Sequence, residues 1–87
     1  MPKLNETEET PLREKTIYQR WIHESTGFYW LIAEYDPKSK LAFGYANLNN
    51  DELAEWGYID VQELIDVGAV LDEGWRPRKF KEALSLG

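Results

Sequence analysis

The sequence contains no cysteine and one histidine. Without cysteine there is no disulfide framework, no thiolate metal site and no Cys nucleophile. His23 stands between Ile22 and Glu24, and none of Ser25, Ser39 and Ser85 has the G-x-S-x-G setting of a nucleophile elbow. A Ser-His-Asp site is therefore not expected. A glycine-rich phosphate loop, a P-loop lysine and a dinucleotide fingerprint are missing too. No apolar run approaches the roughly 20 residues of a membrane span, and residues 1–15 lack the apolar centre of a signal peptide. The expectation is a cytoplasmic protein with no membrane contact, no enzymatic activity, no cofactor and no metal ion.

Basic residues are scarce as well. Ten Lys and Arg face sixteen Asp and Glu, for a net charge of −6. The imbalance is uneven: residues 1–16 carry −1, residues 17–73 carry −8 and residues 74–87 carry +3. An acidic body repels phosphate backbones, so nucleic acid is an unfavoured partner for it. Present in quantity are hydrophobic side chains, 43% of the chain, with 14% aromatic and four Trp among 87 residues. That composition belongs to a folded chain, and its length allows one compact core.

The pattern predicts an α+β fold, a small antiparallel meander of three to four strands with one or two short helices packed on it. Residues 1–15 are polar with Pro2 and Pro11 and read as a flexible arm; residues 16–87 form the domain. A first strand at 16–23, TIYQRWIH, places Ile17 with Gln19 and Trp21 on one face. After a turn ending in Gly27, strand 28–35 puts Phe28, Trp30, Ile32 and Glu34 on one side and Tyr29, Leu31, Ala33 and Tyr35 on the other. Both sides are largely apolar, so the strand is central and covered twice. Asp36-Pro37-Lys38-Ser39-Lys40 turns the chain into strand 41–48, whose Ala42, Gly44 and Ala46 leave room for close approach.

The oxygen-rich loop Asn47-Leu48-Asn49-Asn50-Asp51-Glu52 lacks the glycine and the distant glutamate of an EF-hand and reads as a loop held by local hydrogen bonds. Residues 51–54 suggest a single helical turn and 55–59 a fourth strand. Asp60 caps a helix over 61–67 that ends at Gly68. Residues 69–71 are an edge strand or a core-plugging loop. Glu34, set by alternation beside Trp30 and Ile32, is the carboxylate whose pKa burial would raise; Arg20, Lys38 and Lys40 are its candidate partners.

Trp30, Glu34-Tyr35-Asp36-Pro37, Ala42-Phe43-Gly44, Glu55 with Gly57-Tyr58-Ile59, and Glu63-Leu64 follow one another in an order that resembles domain-of-unknown-function family 2958. That family comprises small bacterial, plasmid-borne and phage-borne proteins. Asp72-Glu73-Gly74-Trp75-Arg76-Pro77 stands where the family carries its ERD-x-x-F-x-P tail. The resemblance implies a compact α+β domain and a mobile-element setting, and it implies no activity.

Two functions remain. The leading one is a protein-binding or accessory regulatory module, as a monomer or homodimer, in which Tyr18, Tyr29, Tyr45, Trp56 and Tyr58 supply surplus rings on a sheet with a free edge. A sharper form has the acidic body mimic nucleic acid and inhibit a DNA-processing protein. The alternative is single-stranded nucleic-acid binding by the basic, aromatic tail, through Trp75, Arg76, Arg78, Lys79, Phe80 and Lys81. That tail can instead fold over the second apolar face of the sheet.

Overall fold

Residues 28–47 fold as the hairpin that their two apolar runs and polar turn dictate. The computed structural model describes residues 1–85. In chain order it has a 3-10 turn (Leu12–Glu14), β1 (Thr16–Ile17), β2 (Gln19–His23), β3 (Phe28–Asp36), β4 (Leu41–Asn47), β5 (Glu55–Asp60), α1 (Val61–Asp66), β6 (Val70–Leu71), β7 (Arg78–Lys79) and α2 (Phe80–Ser85). The main sheet is antiparallel with five strands in the order β5-β4-β3-β2-β6, and β1 pairs with β7 in a two-stranded ribbon. Among the described residues no helix is long and apolar enough to cross a membrane.

The three-to-four-strand expectation thus undercounts. Residues 69–71 supply an edge strand that pairs with β2, Trp21 opposite Leu71 and Ile22 opposite Val70. The single strand expected at 16–23 breaks at Tyr18, whose N–H donates to the Ile32 carbonyl (2.9 Å). The break separates Ile17 from the face of Gln19 and Trp21; β1 turns to β7, and Ile17 is fully buried in a different core from Trp21. Residues 51–53 form a turn rather than a helix. Leu86 and Gly87, the end of the expected domain, lie outside the described residues.

Each face of the sheet has its own core. On one, α1 lays Val61 and Leu64 over Trp30, Ile32, Ala42, Ile59 and Ala69. Asp60 caps this helix as its pattern predicts, its carboxylate accepting the Gln62 N–H (2.9 Å). On the other, α2 sets Phe80 and Ala83 against Ile17, Leu31 and Ala33, flanked by Tyr29, Tyr45, Trp56 and Trp75. The tail therefore covers the second apolar face.

The β3–β4 register slips between Ile32 and Glu34: Ile32 is opposite Gly44, Glu34 opposite Phe43. This is a β-bulge at Ala33, and it exchanges the faces of the residues after it. Glu34 leaves the face of Trp30 and Ile32, where strict alternation puts it, and joins Phe43 on the tail side. Tyr35 crosses to the helix side. Beside the bulge, a Cβ on Gly44 would lie 2.1 Å from the Leu31 carbonyl oxygen. The glycine is demanded by the neighbouring strand, not by a helix or ring.

The segment expected as a loose arm makes specific contacts. Tyr35 N–H donates to the Pro2 carbonyl (3.0 Å), and the Asn5 and Thr7 amides donate to the Glu34 carboxylate at 2.7 and 3.1 Å. The Thr7 hydroxyl donates to Glu34 too.

Candidate functional site

α1 has only six residues, so it covers the Ile32 and Ala42 end of its face and stops short of the other. Past its last turn lies an open groove of about 510 Å³. Its floor is Phe28, Trp30, Ala46 and Ile59; Leu64, Glu63 and Val67 form the helix side, and Leu48, Thr26 and His23 the far rim. Phe28 meets Trp30 edge to face (6.4 Å between centroids, 83°). A smaller hollow of about 180 Å³, lined by Ala46, Leu48, Asn50, Leu53 and Glu55, shares Ala46 and Leu48 with the groove and extends it toward the β5 edge.

His23 ties the groove together at one end. Its Nε2 lies 2.9 Å from the Val67 carbonyl, which can only accept, so Nε2 carries a proton. In the neutral ring Nδ1 then accepts from the Thr26 hydroxyl (2.8 Å). The C-terminus of α1 is thereby fixed to the β2–β3 turn, where the Ser25 hydroxyl also lies 3.3 Å from Nδ1.

Asp60 and Glu63 are the acidic residues of the groove lining, and Glu55 lines the adjoining hollow. Residues 41–75 contain Asp51, Glu52, Glu55, Asp60, Glu63, Asp66, Asp72 and Glu73 and not one Lys or Arg. Of these eight only Asp72 has an ion-pair partner among the described residues, Arg20 at 3.1 Å. The other seven are exposed.

The tail side contrasts with this. Phe80 sits between Tyr45 and Trp56, each 4.8 Å away, and Phe43 stacks on Trp56 (5.5 Å). Glu34, expected to pair with Arg20, Lys38 or Lys40 at a raised pKa, does neither. Its partner is Lys15, 3.8 Å away and equally buried, which also donates to the Thr7 carbonyl and hydroxyl. Burial pushes the Glu34 pKa up, but the Thr7 hydroxyl, the Asn5 and Thr7 amides and the Lys15 charge outweigh it, so the carboxyl titrates below its ordinary range. Burial, together with the charges of Tyr29 and Asp51, raises the Tyr45 pKa.

The five surplus rings do not form one exposed surface. Tyr29, Tyr45 and Trp56 pack on the tail-side core, Tyr18 is half-buried, and Tyr58 is exposed with its hydroxyl donating to Asn5 (3.3 Å). In the tail, Phe80 is buried and the Trp75 indole N–H donates to the Ile17 carbonyl (3.1 Å). Lys79 and Lys81 both reach Glu14, at 3.0 and 2.9 Å; Arg78 stacks on Trp75 (4.4 Å), and Arg76 is exposed. The groove residues Phe28, Trp30, Leu48 and Val67 were not singled out from the sequence. The clue available was the run of 35 residues without a cation beside a helix too short for its sheet. Comparison with protein-family models, with curated proteins and with solved structures finds no match.

Proposed function

We propose that the chain is a protein-binding module whose helix-side face takes a cationic segment of another protein. One observation carries this: an open apolar groove whose lining includes two exposed carboxylates, Asp60 and Glu63, that make no ion pair among the described residues. Apolar area gives such a contact its adhesion, and the charges give it orientation and speed. A segment that binds nucleic acid is cationic by necessity, so a DNA-processing protein held in check by this acidic face is the partner class that fits best.

The test is titration of the isotope-labelled protein with an amphipathic Lys-rich peptide and with its Glu-rich counterpart. The cationic peptide should shift the amide resonances of Phe28, Trp30, Ala46 and Val67 and release with added salt. Equal response to both peptides, or shifts confined to the tail, would count against the reading. A single-stranded oligonucleotide serves as a third arm. The tail reading rests on Arg76 and on the Arg78–Trp75 stack, and it needs Lys79 and Lys81 to leave Glu14.

A further inference from the structure

β5 is the outermost strand on its side of the sheet, and one hydrogen bond reveals which of its backbone groups face outward. Val61 N–H donates to the Lys40 carbonyl (3.0 Å), and the β4–β5 register continues from there without a break. Antiparallel pairing alternates. Glu55, Gly57 and Ile59 therefore direct their N–H and C=O groups to β4, while those of Trp56 and Tyr58 point away from the sheet. Among the described residues nothing takes them up. The N-terminal segment accepts a hydrogen bond from the Tyr58 hydroxyl through Asn5 and leaves Tyr58 60% exposed. An open ladder of this kind is a template for another strand.

Two features select the occupant. Glu55 and Asp60 stand at the two ends of β5, with Asp51 and Glu52 before them and Glu63 after, so a second copy of this chain, itself at −6, would bring acid against acid. A cationic strand meets no such repulsion. In the middle, Gly57 leaves a vacant place on the groove side: a Cβ built there has no neighbour within 4 Å. A large apolar side chain from an added strand can lie over that glycine and run into the hollow lined by Leu48 and Leu53. A helix in the groove would fill the apolar space but leave the Trp56 and Tyr58 backbone unpaired.

We propose that the partner binds as a sixth strand on β5, an extended segment with an apolar residue over Gly57 and Lys or Arg facing Glu55 and Asp60. This rests on the reading of the chain as a module for a cationic partner.

Synthetic probes separate the two ideas: an extended Lys-Lys-Val-Phe-Val-Lys-Lys peptide, the same peptide with alternate backbone amides N-methylated in either phase, and a helix-forming Lys/Ala/Leu peptide of equal charge. The extended peptide should bind, with the Trp56 and Tyr58 amides gaining protection from hydrogen exchange. N-methylation in one phase should weaken it about tenfold or more. Tyr58→Pro removes an outward N–H while sparing the β4 ladder and should cost as much, whereas Tyr58→Ala should not. A helix-forming peptide that binds as well as the extended one, with no protection at Trp56 and Tyr58, overturns strand addition and leaves the module reading standing. No binding of any cationic probe at low salt overturns both. If Tyr58→Pro does not fold, the N-methylated pair on the unaltered protein decides.

Discussion

The two faces of the sheet are built from the same three central strands and end in opposite conditions. On the tail side nearly everything finds a partner within the chain: Phe80 closes over Tyr45 and Trp56, Lys15 meets Glu34, and Glu14 holds both Lys79 and Lys81. On the helix side Val61 and Leu64 are buried, yet Leu48, Ile65 and Val67 stay more than half exposed, and the groove carboxylates Asp60 and Glu63 make no ion pair among the described residues. The difference teaches that charge and apolar area are satisfied internally where the fold needs them and left open where a second molecule can use them.

The sharpest way to break the contrast is to remove an apolar side chain from each side. Phe80→Ala should destabilise the fold by about 3–5 kcal/mol in urea unfolding, since it empties a closed core. Leu48→Ser, on a side chain already 53% exposed, should change stability by about 0.5 kcal/mol or less. Equal losses would mean that the helix side is as closed as the other.

Next comes the buried pair. Glu34→Gln leaves the Lys15 charge uncompensated and should cost about 3 kcal/mol, with Lys15→Met in the same chain recovering part of it. Glu34 has a lower pKa folded than unfolded, so its contribution is complete above the ordinary value of 4.5 and fades as pH falls below it. Acid titration of stability should thus be steeper for the natural chain than for the Gln variant.

Leu48→Lys together with Val67→Lys should reduce the affinity for a cationic peptide about tenfold while leaving unfolding unchanged, read by calorimetry and urea titration on one sample. The smallest effect belongs to Glu14→Gln on the exposed rim of the tail side. Hydrogen bonds from Lys81 and Lys79 hold the Glu14 pKa down to about 2, so any stability it gives is lost only as pH drops from about 4.5 toward 2. The variant should differ from the natural chain at low salt and converge with it at high salt.

Much of this was legible in the sequence. The hairpin at 28–47, the strand at 55–60, the capped helix at Val61 and the two apolar faces emerge from period and punctuation alone. The short strands did not, because two residues carry no period: Val70–Leu71 and Arg78–Lys79 are strands only by virtue of their neighbours in space. The Lys15–Glu34 pair was hidden because it depends on the irregularity at Ala33 and on an N-terminal segment two of whose three hydrogen bonds to Glu34 come from backbone amides, which leave no mark in the sequence. The groove was hidden because helix length is written in the sequence, but the point on the sheet where the helix runs out is not.

The extra residue at Ala33 makes the reading frame of a strand as consequential as its composition. Were Ala33 drawn into regular pairing opposite Phe43 instead of bulging, Glu34 would alternate onto the side of Ile32 and Ala42, away from Lys15; deleting the alanine would close the bulge with Glu34 still opposite Phe43 on the tail side. A deletion of the same size in the loop at 49–53 would merely shorten a connection. The pairing of one alanine in β3 is therefore an electrostatic event: whether it bulges decides which layer of the protein receives a charge, without altering a single side chain.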